Sequence, residues 1–290
     1  MKRWTRKPSP RRALLAAVVA AGSLLVIGAA PAASGAATLP TLNVSVSKTA
    51  ISASGSTVSG PVNIVTTAAK GLKEPAVILF LLKPGVTPAE FESFAKSKAF
   101  SDPNNADKLG SIVFDNEGRP GGTSEAQTVL APGTYILLNA EGENPTNPAH
   151  SVLTITGPPV AAVPSALPAA QAVEKTIEFG FRGPTTLHDG ELVRFENEGF
   201  LVHMDIAVPV RNRAAAKKFV KAMKAGKEHG AFKLVTGQPQ MWMGTISSEA
   251  FVQSTVTAKP GVYVQLCFME TQDGRDHTRL GMERIITVTK

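Results

Sequence analysis

The chain has 290 residues, 30 basic against 23 acidic side chains, a formal charge of +7 and a single cysteine. One thiol excludes an internal disulfide framework, and the length exceeds what one small β-sandwich needs. The absence of H-E-x-x-H, C-x-x-C, P-loop, G-x-G-x-x-G and G-x-S-x-G patterns takes weight from the enzyme classes built on them.

Residues 1–37 read as an export signal. Lys2, Arg3, Arg6, Lys7, Arg11 and Arg12 precede an apolar run from Ala13 to Ala30, and small residues Ser34 to Ala37 follow. The run also approaches bilayer-spanning length, so cleavage and retention as an anchor both stay open, and a membrane is a partner only in the second case. The pair Arg11 and Arg12 leaves the export route undecided between the general and twin-arginine pathways. With the signal go six basic residues and no acidic one, so the charge falls from +7 to +1. That removes the electrostatic argument for nucleic acid as a partner.

Residues 38–157 hold short β-branched runs bounded by turn residues: Thr41 to Lys48, Val62 to Thr67, Val77 to Leu82, Ser111 to Phe114, Tyr135 to Leu138 and Ser151 to Thr156. One helix interrupts them. Thr87 and Glu90 have capping-box spacing around Pro88, and Phe91, Phe94 and Ala95 follow on one face. Residues 158–172 are dense in Pro and Ala and read as a linker.

Residues 173–290 repeat the pattern, with strands expected over Lys175 to Phe181, Leu192 to Glu196, His203 to Val210, Ala250 to Thr257 and Glu283 to Thr289. The helix of this half carries Ala216, Phe219, Val220 and Met223 at helical spacing, stops near Gly226, and is lined by lysines 217, 218, 221, 224 and 227. A solvated face explains those lysines; docking of an acidic redox partner is the alternative. Pro132-Gly133-Thr134-Tyr135 recurs as Pro260-Gly261-Val262-Tyr263, each near the end of its half.

Cys267, His277 and Met282 arrive close together in an exported chain, a donor set that suits copper. Three pieces resemble the cupredoxin family: the segment Gly190 to His203 with Asn197 in its turn, the strand Gly261 to Cys267, and His277 to Met282 with the plastocyanin-like spacing. The resemblance covers residues 173 to 290. It implies one copper ion held by His203, Cys267, His277 and a weak axial Met282, with Asn197 tying the ligand loops by hydrogen bonds. It also implies an all-β fold of two tandem Greek-key cupredoxin-like sandwiches, each with one inserted helix.

Nine residues, Phe268 to Asp276, separate Cys267 from His277, where the family places two to four. This insertion either bulges outward or displaces His277. The first half reads as the same sandwich without a site: Asn139 stands where the cysteine would be, and His150 lacks partner ligands.

Met241-Trp242-Met243 is a Cu(I)-binding candidate, outweighed by packing. His188 and His229 read as solvated. The expected function is non-enzymatic electron transfer with an unknown redox partner protein. A periplasmic or extracellular copper carrier or sequestering protein, and a metal-free extracytoplasmic interaction protein with a vestigial site, are the alternatives.

Overall fold

The computed structural model describes residues 38–72, 75–139 and 148–290; residues 1–37, read above as an export signal, lie outside them. The first half runs β1 (Thr41–Val46), β2 (Ile51–Gly55), β3 (Gly60–Ala68), β4 (Ala76–Leu82), α1 (Pro88–Ala95), β5 (Gly110–Glu117), β6 (Thr123–Leu130), β7 (Gly133–Leu138) and β8 (His150–Ile155). The second runs β9 (Ala172–Ile177), β10 (Gly180–Arg182), β11 (Thr186–His188), β12 (Leu192–Asn197), β13 (His203–Val210), α2 (Arg213–Lys224), α3 (Glu228–Phe232), β14 (Gln240–Ile246), β15 (Phe251–Thr255), β16 (Gly261–Leu266) and β17 (Glu283–Thr289). No helix among the described residues is long and apolar enough to cross a membrane.

Each half is a sandwich of two sheets, and the two match strand for strand. In one layer β1 pairs parallel with β3 and antiparallel with β2, while β9 pairs parallel with β12 and antiparallel with β10. In the other layer the orders β5-β4-β7-β8 and β14-β13-β16-β17 correspond, with β11 added at the edge of the second. The Pro-Gly-x-Tyr repeat has a structural reason. The Tyr135 hydroxyl donates to the Ala131 carbonyl at 2.8 Å and the Tyr263 hydroxyl to Lys259 at 2.8 Å, so each tyrosine pins the turn that launches the central strand behind it.

Strand β4 is apolar on both faces, and β13 is so apart from the buried His203 and Asp205, because both faces are covered. Val77 and Leu79 join the core between the sheets, whereas Ile78, Phe80 and Leu82 meet Phe91 and Phe94 of α1. In β13, Ala207 faces that core, and Met204, Ile206 and Val208 meet Phe219 and Met223 of α2. Thr87 caps α1 with both bonds of the capping box. At the end of α2, Gly226 adopts φ 67°, and its N–H and that of Lys227 return to the carbonyls of Met223 and Ala222, a Schellman close. The short helix α3 follows at once.

The two halves share more than a tether. Strands β6 and β15 meet at Gln127 and Gln253, joining the two inner layers into one eight-stranded sheet, β10-β9-β12-β15-β6-β3-β1-β2. The Gln253 amide donates to Gln127 at 3.0 Å and to the Pro168 carbonyl at 3.1 Å. The Pro/Ala-rich segment lies along this seam, with Leu167 buried against Val129 and Phe251. Expected as one strand, Lys175 to Phe181 is two: β9 and β10 fold back at Glu178 and Phe179, where Phe179 takes φ 55°.

Candidate metal centre

His203 opens β13, Cys267 directly follows β16, and His277 starts a single 3-10 turn, His277–Leu280, that leads to Met282 and β17. The sandwich brings these four to one end of the second half, each with no exposed surface. Nδ1 of His203 lies 3.1 Å from Nδ1 of His277, and the Cys267 sulfur lies 3.8 Å and 3.5 Å from those two atoms. With metal–nitrogen bonds of about 2.0 Å and a metal–sulfur bond of about 2.3 Å, a trigonal set has edges of roughly 3.5 Å between nitrogens and 3.7 Å from nitrogen to sulfur. The observed triangle is that size. Among the described residues it is the one grouping of three or more His, Cys, Asp or Glu donors able to hold a metal ion.

The insertion between Cys267 and His277 leaves this triangle intact. Glu270 and Asp276 form a β-bridge, Thr271 N–H donates to the Arg275 carbonyl at 2.9 Å, and an exposed Asp273–Arg275 ion pair closes the tip. The chain therefore leaves and returns at one point. Backbone bonds then fix both ends: His277 N–H donates to the Met269 carbonyl at 2.8 Å and Met282 N–H to the His277 carbonyl at 3.0 Å. Thr278 ties the turn to the thiol segment, its hydroxyl donating to the Cys267 carbonyl at 2.8 Å and accepting Cys267 N–H at 3.1 Å. Met282 shares a buried cluster with Cys267, Met204 and Met223.

Asn197, 1% exposed, knots the His203 side. Its amide donates to the Leu201 carbonyl at 2.8 Å and the Ile246 carbonyl at 3.0 Å, and its oxygen accepts Gly199 N–H at 2.9 Å. Two further residues shape the site and escaped the strand pattern. The Glu178 carboxylate, placed by the β9–β10 turn, accepts Leu201 N–H at 3.1 Å and also Phe200 N–H, and it stands 3.8 Å from His203 Nε2. Burial pushes its pKa up, but the Leu201 and Phe200 amides outweigh this and hold it below the usual carboxylate range. The next residue, Phe179, sets its ring edge-on to His277 with centroids 5.2 Å apart. Gly199 is required by close approach, since a Cβ there would lie 2.6 Å from the Glu178 carboxylate and 2.8 Å from His203 Nε2. The signal for this turn was Gly180 inside a strand-like run.

Burial pushes the pKa of both histidines down to about 4, and for His203 the neighbouring His277 adds to the effect. Both rings are therefore neutral at pH 7, the form that ligates metal. Two imidazole nitrogens facing each other at 3.1 Å in a dry site repel unless a proton or a cation lies between them. The donor set, its size and its protonation state fit a thiolate- and imidazole-binding first-row ion, and Cu in particular.

On the opposite face of β13, Asp205 and Gln265 meet Glu174 and Arg284 in a buried polar cluster. Gln265 Nε2 donates to Asp205 at 2.6 Å and to Glu174 at 3.3 Å, while Arg284 bonds Gln265 and Glu174. Burial pushes Glu174 up to about 7 against the pull of Arg284, and Asp205 rises well above its ordinary value for the same reason.

The remaining sequence candidates fall elsewhere. Met243 and Trp242 pack in the inter-sheet core, Trp242 against Tyr263, whereas Met241 packs toward α2, so the two thioethers serve different clusters. In the first half Asn139 occupies the place of Cys267. It follows Leu138, which pairs with Ile78 as Leu266 pairs with Ile206, and its side chain accepts the Ala76 N–H at 3.0 Å. His150 is exposed, 3.6 Å from Glu92, and His188 and His229 are exposed as well.

No protein-family model matches the chain, and no curated protein does. Among solved structures it is similar to auracyanin B at 19% identity, covering 43% of this chain and 93% of that one with a TM-score of 0.27. It is likewise similar to the reduced auracyanin of Roseiflexus castenholzii at 20% identity, covering 41% and 95% with a TM-score of 0.26. A copper-containing nitrite reductase from Thermus scotoductus matches at 12% identity over 86% of this chain and 67% of that one, with a TM-score of 0.25. The cupredoxin-like character of the chain rests on its paired Greek-key sandwiches and on the His203–Cys267–His277 triangle.

Proposed function

We propose that the second half binds one copper ion through His203, Cys267 and His277, with Met282 as a weak axial neighbour, and that the exported protein transfers single electrons to and from a partner protein. The observation that carries this is the buried triangle of two imidazoles and a thiol at metal-binding size. Copper bound there would supply a one-electron couple between two oxidation states that both accept such a trigonal set. The residues do the rest. Asn197, Thr278 and the bonds around His277 hold the donors in place whichever state is present, so little rearrangement accompanies the electron.

A carrier would need copper to enter and leave readily, and the full burial of all four side chains speaks against that. It also speaks against an enzyme, whose metal needs an open coordination position. Export rests on the character of residues 1–37, and N-terminal sequencing of the secreted protein would locate cleavage between about Ala32 and Thr38.

The test is the visible spectrum of the full chain after copper loading. An intense thiolate-to-copper charge-transfer band, lost in Cys267→Ala, is expected. A colourless, copper-bound protein that loses its metal on oxidation would instead favour the carrier. Copper retention by Cys267→Ala equal to the parent's would overturn the ligand assignment, and no uptake at all would leave the metal-free interaction protein.

A further inference from the structure

Among the described residues the first half carries no donor triangle, yet it touches the metal centre of the second at both histidine-bearing segments. Val202, the residue before His203, is buried in the phenylalanine cluster of the first half with Phe80, Phe91 and Phe94, and its N–H donates to Asn104 Oδ1 at 3.0 Å. Met269, whose carbonyl accepts the His277 N–H, packs against the same cluster.

Asn104 is itself prepared for this contact. It sits in the 3-10 segment Pro103–Lys108, where Asp102 caps the turn by accepting Asn104 N–H at 2.9 Å and its side-chain amide at 3.0 Å, leaving Oδ1 pointed at Val202. Asp102 lies near enough to His277 for its charge to act on that ring.

A second grip lies on the neighbouring strand. Ser247 N–H donates to the Ile112 carbonyl at 2.9 Å, Ile112 N–H returns to the Ser247 hydroxyl at 2.9 Å, and Thr245 N–H donates to Asp115 at 2.6 Å. Ile246, between them, pairs with His203 in the sheet.

Building on the copper reading above, we infer that the first half is the closure of the metal centre: Asn104 and the phenylalanine cluster clamp Val202 and Met269, and through them hold both histidine segments shut over the ion. Asn104 is a positioning residue in this arrangement and touches no donor. The clamp explains why neither ring has any exposed surface. It also assigns work to a sandwich that kept its fold while Asn139 stands where a thiol would be. Closed in this way, the ion exchanges electrons through the protein and is barred from small anions and chelators.

The test uses the full chain with Asn104→Ala, and with Met269→Ala as an independent loosening of the same clamp. Asn105→Ala, on the exposed neighbour, is the control. In metal-free protein, amide hydrogen exchange at Val202 should speed up by about fivefold to tenfold in Asn104→Ala, the effect of losing one hydrogen bond to a part-buried amide. In copper-loaded protein, extraction of Cu(I) by bathocuproine disulfonate should accelerate by about tenfold in both variants, and azide should perturb the Cu(II) spectrum of the variants while leaving the parent unchanged. Unaltered Val202 exchange in Asn104→Ala overturns the clamp. Faster exchange with unchanged extraction and no azide effect in either variant overturns closure. A parent chain that takes up no copper sinks the metal reading, and the exchange measurement alone then decides whether the clamp exists.

Discussion

Nδ1 of His203 faces Nδ1 of His277 across 3.1 Å, with neither ring exposed to water. The two atoms come from segments 74 residues apart and approach as two ligands of one ion do. Their pKa values, both pushed down to about 4 by burial, make the pair a sink of acid sensitivity in the metal-free protein.

An unfolded histidine binds its proton near pH 6.5, whereas each buried ring resists until about pH 4. Between those values the unfolded state holds more protons, so stability rises with pH there. The contribution is fully present above pH 6.5 and is lost as pH falls through 4, on the order of 3 kcal/mol per ring. Glu174, raised to about 7, slopes the other way between 4.5 and 7, since the folded state holds its proton longer. Comparing metal-free parent with His277→Gln by urea unfolding cancels that opposing term. The variant should gain on the parent as pH falls from 7 to 4, and parallel profiles would refute the burial argument.

Gly199→Ala places a methyl group 2.8 Å from His203 Nε2 and 2.6 Å from the Glu178 carboxylate. The ring cannot give way without leaving the triangle, so the expected cost is about 1–3 kcal/mol with weakened copper retention. Thermal unfolding and copper stoichiometry check both halves of the expectation.

Met282→Leu keeps the volume of a fully buried side chain and removes its sulfur. Copper should stay bound, because a long axial thioether tunes the ion more than it holds it, and the reduction potential should rise modestly. Loss of the metal would make Met282 a primary ligand.

Deleting the tip Thr271 to Arg275 and rejoining Glu270 to Asp276 through a short turn should leave the visible spectrum in place, because the bridge at its base already returns the chain to His277. A lost or shifted band would show that the excursion helps position the ring.

The meeting of His203, Cys267, His277 and Met282 was legible because each sits in a local pattern: a strand start at His203, a strand end at Cys267, and a fixed interval from His277 to Met282. The duplication was legible for the same reason, through the paired tyrosine turns. Glu178 was hidden because Lys175 to Phe181 has the composition of one strand, and only Gly180 hinted at the fold-back. Strands β2, β6, β11 and β14 were missed. The polar residues of β6, Thr123 to Gln127, disguise an inner strand, and Met241 to Met243 presented sulfur chemistry before it presented a sheet. The grip of Asn104 on Val202 joins residues 98 apart and leaves no trace in either neighbourhood.

Asn139 holds the Ala76 amide at the position where its twin Cys267 faces two histidines. One copy thus shows that this scaffold closes its strand ends with an ordinary amide strut and needs no ion to fold. The second copy is expected to share that independence, so that copper, where it binds, would enter a finished scaffold and its removal would leave the fold in place.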